Sequence, residues 1–347
     1  MNKRDIREIS EKELAEFLVN NQQPEFRKTQ IYKWLWSKGV KSFDAMTDLS
    51  KEFRLLLSDH FEFRCAEIVD VQVSADGTKK FAFKLFDNEI VEGVLIPSYK
   101  RTTACISSQV GCNVKCTFCA TGTMKFKRNL TAGEIFDQVF AINVESEKTF
   151  GDRLDNIVYM GMGEPLLNYD NVLRSIHFVS SEKGLAMSPK RITVSTSGIP
   201  DKIKKLADDN VKFNLALSLH SANHLKRNSL MPINKTYNLE LLIEAIKYFN
   251  EKTGTRTTFE YLMILNVNDT MQDAKDLASF CKNFPSKINL IEYNVVEGTG
   301  YQKSTKENIQ KFLDFLLSKN MVVNLRQSKG EDIDAACGQL AAKKVIV

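Results

Sequence analysis

The chain has 347 residues, of which 43% are hydrophobic and 26% charged, with a formal net charge of +5. That composition can build a globular core and excludes a wholly disordered or fibrous protein, and at roughly 150 residues per domain it implies about two domains, or one large domain with an appendage. The small positive charge permits a polyanionic partner without demanding one, no uncharged apolar stretch reaches the ~20 residues that span a bilayer, and the charged start MNKRDIREISEKELAEF lacks the apolar run of a signal peptide, so a cytoplasmic location with no membrane partner is expected.

In chain order, residues 1–60 read as a helical unit. Ser10 and Glu13 form a capping box ahead of Leu14, Phe17 and Leu18, Pro24 ends that helix, and further helical patterns run through Ile31, Trp34, Leu35 and Trp36 and from Phe53 to Leu57. Residues 61–98 read as a small β extension, with strands at Phe61–Phe63, Ile68–Val73, Lys80–Leu85 and Ile90–Ile96. Asp76-Gly77 and Asp87-Asn88 supply turns. From 99 to 347 strands and helices alternate. Strands are expected at Thr103–Ser107, Asn156–Met160, Arg191–Thr196, Phe213–Leu219, Thr257–Met263, Ile288–Tyr293 and Val322–Arg326. Helices open on Thr131/Glu134, Thr270/Asp273, Ser304/Glu307 and Asn238. Such alternation is the pattern of a parallel α/β core, either an open sheet or a βα-barrel.

In a reducing compartment the seven cysteines read as ligands, nucleophiles or core residues rather than disulfides. Cys112, Cys116 and Cys119 form Cys-x-x-x-Cys-x-x-Cys after the first core strand. A closed zinc site and an ordinary four-iron cluster both take four ligands, and no fourth Cys or His lies nearby in sequence. Three thiolates leave one iron of a cube open, and this spacing resembles the signature of the radical SAM superfamily, whose clusters hold S-adenosylmethionine (SAM) at that iron. The resemblance implies a [4Fe-4S] cluster and a partial (βα)6 barrel. Later strand ends suit the rest of SAM: Gly163 and Glu164 after the second strand, Ser195 at the third, Ser218-Leu219-His220 at the fourth and Asn294 after the sixth. Singly each is ordinary turn chemistry; their recurrence on one barrel face is the signal.

Cys105 and Cys337 by themselves read as small core residues, as do Cys65 and Cys281. Taken together, the cysteine cluster, Met160-Gly161-Met162-Gly163-Glu164-Pro165, Ser195-Thr196-Ser197-Gly198, Ser218-Leu219-His220 and Asp332-Ile333-Asp334-Ala335-Ala336-Cys337-Gly338-Gln339-Leu340 resemble, in order and over nearly the whole chain, the RlmN/Cfr family of RNA adenine methyltransferases. Residues 162–167 and 195–198 resemble the RlmN branch. The resemblance implies methylation of adenine C2 in 23S rRNA at the peptidyl transferase centre, and in the tRNA anticodon loop. It implies two SAM per turnover and an electron donor such as flavodoxin. Cys337 would carry the methyl as S-methylcysteine, Glu92 would accept the C2 proton, and Cys105 would release the product by forming a transient disulfide with Cys337.

A plain reading of Glu92 is a solvent-facing acid on a strand. It precedes a stretch, 94–132, with no Asp or Glu, in which Lys100, Arg101, Lys115, Lys125, Lys127 and Arg128 could form a phosphate-binding rim. Arg27, Lys28, Tyr32, Lys33 and Trp34 could also meet RNA by charge and stacking, although residues 1–60 hold eleven basic and ten acidic side chains. Two other readings stay open: Cfr-like methylation at C8, which gives antibiotic resistance, and a non-catalytic zinc protein that binds RNA. No feature demands an obligate interface, and a monomer is expected.

Overall fold

The computed structural model describes residues 3–99 and 101–342. Three antiparallel strands, β1 (Glu67–Val73), β2 (Lys79–Lys84) and β3 (Ile90–Ser98), lead into β4 (Arg101–Cys105). Six more strands follow: β5 (Asn156–Tyr159), β6 (Ile192–Thr196), β7 (Asn214–Ser218), β8 (Thr257–Met263), β9 (Ser286–Glu292) and β10 (Val323–Arg326). All ten form one sheet in strict chain order, and β4 to β10 are parallel. Parallel neighbours need crossover helices. They are α4 (Ala132–Phe150), α5 (Tyr169–Ser180), α6 (Pro200–Asp208), α7 (His224–Leu230) with α8 (Leu239–Thr253), α9 (Met271–Cys281) and α10 (Lys306–Ser318), once α1 to α3 of the N-terminal unit are counted first. This is the expected α/β partial barrel: six βα units and a closing strand, with the antiparallel extension at one edge and no strand pair joining β10 back to β4 among the described residues.

The capping boxes at Ser10, Thr131 and Thr270 form, and Asn238 caps α8. The fourth box does not. Thr305, not Ser304, caps α10, because the Ser304 hydroxyl donates to Asp269 at 2.6 Å and is no longer free to cap. The strand expected at Phe61–Phe63 is shorter, Phe61–Glu62, and pairs in parallel with Arg4–Asp5 rather than joining the extension.

The N-terminal unit comprises α1 (Glu11–Asn20), α2 (Phe26–Tyr32) and α3 (Lys51–His60). A wider π-type turn at Lys33–Ser37 follows α2 and turns Trp34, Leu35 and Trp36 inward. Trp36 stacks on Phe178 of α5, with centroids 3.7 Å apart, and meets Phe136 of α4 edge-on. Tyr32 and Trp34 are likewise buried, and Trp34 donates to Asp48. These aromatics therefore pack the unit together and against the barrel, and are not presented to RNA. No helix among the described residues is long and apolar enough to cross a membrane.

Candidate active site

The carboxyl ends of β4 to β10 form one rim, the usual place for function in parallel α/β folds. After β4 a short pair, Gln109–Val110 with Arg128–Asn129, closes off the loop that carries the three clustered cysteines. Gly111 opens that loop at φ +72°, and a Cβ there would lie 2.3 Å from the Lys125 carbonyl, so only glycine serves. The loop is pinned from outside: Thr117 N–H donates to the Leu230 carbonyl at 3.0 Å, and Ala120 N–H donates to the Gly338 carbonyl at 2.8 Å.

The thiols of Cys112, Cys116 and Cys119 feel one another's charge. Burial, followed by that mutual repulsion, pushes Cys116 well above the ordinary thiol range; burial pushes Cys112 up to about 12 and raises Cys119. Three thiols in a water-poor recess are poor anions until positive charge joins them, which is the electrostatic condition of a metal centre. Among the described residues no three His, Cys, Asp or Glu side chains converge on a single-ion position. Thiolates of an iron–sulfur cube need not, since each takes a different iron.

The residues expected to hold SAM meet at the same rim. Gly163 has φ +103°, with Gln109 where a Cβ would go, and Gln109 also accepts the Glu164 N–H at 2.8 Å. The buried Glu164 carboxylate accepts from Ser197 N–H at 2.7 Å and from Leu166 N–H at 3.0 Å, tying the loops after β5 and β6 together. Burial raises its pKa against those bonds. Ser195 and Ser218 share a 3.3 Å hydrogen bond between neighbouring strands. Leu219 N–H and His220 N–H both donate to the Glu260 carbonyl. His220 is buried, and burial followed by the Arg227 charge lowers its pKa to about 3. Its neutral ring accepts the Leu262 N–H at Nδ1, so the ring proton sits on Nε2. Asn294 donates to the Cys337 carbonyl at 3.2 Å, while its Oδ1, like Ser197 Oγ, is buried with no hydrogen-bond partner among the described residues. Orphaned buried oxygens are rare and costly, and an amino, hydroxyl or ribose donor at this rim would satisfy them. The donor set and the orphans together fit a cluster with SAM.

Cys105 ends β4, and the Cys337 thiol, from the other end of the chain, lies within its electrostatic reach. Cys337 is open to solvent yet ringed by protein, like a side chain on the floor of a recess; that enclosure pushes its thiol up to about 11, with Arg326 pulling the other way. In Cys105 burial, then the nearness of Cys337, pushes the thiol up to about 12, again against Arg326. Both thiols are free. Glu92 lies buried on β3 and pairs with Lys80 at 3.3 Å, so it is not the solvent-facing acid that a plain strand reading gives. Its carboxylate also accepts the Ala341 and Ala342 N–H groups, at 2.9 and 3.1 Å, which brings it to the segment that carries Cys337.

The basic stretch fares differently. Arg128 is held by Asp87 and Glu134, and Lys127 by Glu89, so neither is a free phosphate ligand. Lys100 lies outside the described residues. Cys281 is buried on α9, and Cys65 is half-buried.

Sequence reading missed four charged residues at this site: Lys80, Arg227, Glu260 and Arg326. Glu260 on β8 and Arg326 on β10 pair at 3.4 Å across the intervening β9, and Glu260 also accepts from Asn289 at 2.8 Å. An acid in the middle of the apolar strand Thr257–Met263 was a usable signal, because a buried charge requires a partner. Arg227, on a short polar helix, offered none.

Two family models match the chain, the radical SAM superfamily over residues 106–281 and the ribosomal RNA large subunit methyltransferase N-terminal domain over 4–63. A probable dual-specificity RNA methyltransferase RlmN of Cytophaga hutchinsonii is 53% identical over 343 residues, covering 99% of this chain and 94% of its own. One of the same description from Thermotoga maritima is 43% identical, covering 99% and 98%. A solved radical SAM methyltransferase from Sphaerobacter thermophilus superposes with a TM-score of 0.92 at 38% identity, over 98% of this chain and all of the other.

Proposed function

The chain belongs to the radical SAM superfamily and, within it, to the RlmN family of RNA methyltransferases, and from that membership we propose that it methylates C2 of an adenosine in 23S rRNA, at the peptidyl transferase centre, and in the tRNA anticodon loop. The observation that carries the reading is the return of the C-terminal segment, which docks on the cluster loop through the Ala120 N–H to Gly338 carbonyl hydrogen bond and brings the Cys337 thiol within electrostatic reach of Cys105 and Cys119.

Cys112, Cys116 and Cys119 would hold the [4Fe-4S] cluster; Gly163, Glu164, Ser195, Ser218, Leu219, His220 and Asn294 would line the SAM site. When bound, the cluster would supply the one-electron reduction on which SAM-based radical chemistry depends. Adenine C2 lies between two ring nitrogens and is too electron-poor to attack a sulfonium methyl, so the methyl must travel through the protein. Cys337 accepts it as a thiolate from one SAM, and the second SAM of each turnover serves to activate that methyl. The S-methyl carbon of Cys337 would give up one hydrogen atom to the adenosyl fragment of the second SAM and form the bond to C2, the electron taken up when SAM is cleaved being handed back as the C2 proton leaves. Glu92, paired with Lys80, accepts the C2 proton once Ala341 and Ala342 let go of it. Cys105, as a thiolate, would attack the Cys337 sulfur; the S–C bond breaks as the departing methylene carbon takes up a proton, which releases methylated RNA and leaves a disulfide for cytosolic thiols to reduce. The adenosine must be unstacked to reach this recess, which favours loops and incompletely folded RNA. A cytoplasmic monomer fed by a flavodoxin-type donor, with units at 1–60, 61–98 and 99–347, belongs to the same proposal.

The test is mass spectrometry of RNA carrying deuterium at adenosine C2 or at C8. Loss of the C2 label with gain of a methyl is the expected result; loss of the C8 label would place the enzyme with Cfr-like methylation instead. Cys337→Ala should retain iron and SAM binding yet methylate nothing, and retained activity would overturn the two-cysteine route.

A further inference from the structure

Two of the arginines in this fold are almost completely withdrawn from water, and they are treated in opposite ways. Arg7 pairs with Asp5 at 2.9 Å and with Asp137 at 2.7 Å. Arg227, with no exposed surface at all, forms no ion pair among the described residues. Its Nε donates to the Leu219 carbonyl at 3.2 Å, Nη1 to Asn234 Oδ1 at 2.7 Å, and Nη2 to the Ser197 and Ser218 carbonyls at 2.7 and 3.4 Å. Every one of these acceptors is neutral. A buried cation without a counter-ion is among the costliest arrangements a fold can keep.

The missing anion has a place. Arg227 sits on α7, whose last residue, Leu230, accepts the Thr117 N–H from between Cys116 and Cys119. Leu230 and Met231 pack with Phe118 against those two cysteines. Burial pulls the Arg227 pKa down to about 10, and the charge of Cys116 opposes that. We propose that Arg227 is the built-in counter-charge of the iron–sulfur cluster, a positioning residue that makes the cluster easier to reduce. This rests on the assignment of the cluster to Cys112, Cys116 and Cys119. A cube with three thiolates is anionic and becomes more so on gaining an electron, and a fixed cation in a medium of low polarity favours the more negative state. The same guanidinium spans the loops after β6 and β7, where SAM is expected, so cluster charge and SAM geometry meet at one side chain.

The competing role is a neutral staple for those loops. Arg227→Lys keeps the charge and loses the fork; Arg227→Gln keeps amide donors and loses the charge. Full-length proteins would be reconstituted anaerobically, their iron counted and their midpoint potentials read from the EPR signal of the reduced cluster. Arg227→Gln should shift the reduction equilibrium at least tenfold toward the oxidised form, about 59 mV for one electron, while Arg227→Lys stays within a few-fold of the parent. If Arg227→Gln cannot hold iron and Arg227→Lys can, the charge is again what the cluster requires. Unchanged potentials in both variants, equal shifts in both, or loss of iron in both would overturn the proposal in favour of the staple. A parent protein that takes up no four-iron centre would instead sink the cluster assignment itself.

Discussion

Among the described residues, Arg326 is the cation whose field bears on both outlying cysteines, and Glu260 pairs with it at 3.4 Å. Enclosure alone would leave Cys337 a thiol at neutral pH; the guanidinium opposes that. The thiolate fraction rises with pH toward about 11, so alkylation of Cys337 by iodoacetamide should accelerate as pH increases through 8 to 10. Arg326→Met should displace that profile to higher pH and slow alkylation at pH 8 several-fold. An unchanged profile, followed by peptide mass spectrometry, would show that Arg326 acts only as the partner of Glu260.

One element of the active site is an irregular segment, residues 330–342, and its position is decided by the turn between β1 and β2. Asp332 accepts from the Ser74 hydroxyl at 2.5 Å and from Ala75 N–H at 3.1 Å, while Asp76 accepts the Gly330 N–H at 3.1 Å. Further along, Thr121 donates to the Leu340 carbonyl at 2.6 Å. The β extension thus works as a clamp for the strap that bears Cys337. Each clamp bond is weak on its own at this exposed site, too little to unfold the protein but enough to free the strap. Asp76→Ala with Asp332→Ala should speed hydrogen exchange across 330–342 and lower methylation, with the thermal midpoint of the barrel nearly unmoved. A fall in global stability without faster local exchange would contradict the clamp.

At the scale of the whole molecule, the N-terminal unit is bound to the barrel through α4 and α5. The Arg7–Asp137 pair, the donation of Arg174 to the Glu8 and Ile9 carbonyls, and the stack of Trp36 on Phe178 all cross that boundary. Buried ion pairs give registry more than net energy, so the aromatic stack should dominate. Trp36→Ala is expected to cost about 3–5 kcal/mol, seen as a lower thermal midpoint and faster proteolysis within residues 10–60, with iron content preserved. Loss of iron along with stability would mean that the two units fold as one.

Much of the site was legible because its chemistry sits on local signals. The spacing of Cys112, Cys116 and Cys119, the motifs at successive strand ends, the period of the βα units and the caps at Thr131, Thr270 and Asn238 are all encoded within a few neighbouring residues. Strand ends became a single rim because parallel strands in chain order leave no other arrangement. The rest depends on pairs far apart in sequence. Only the folded chain brings Cys337 within electrostatic reach of Cys105, buries Glu92 against Lys80, neutralises Arg128 with Asp87 and Glu134, and leaves Arg227 without a carboxylate among the described residues. A charged side chain has the same local pattern whether it will face water or be sealed in, and its partner is chosen by tertiary packing. The sequence by itself therefore determined the architecture and the cluster loop, and the tertiary structure decided which charges the chemistry can use.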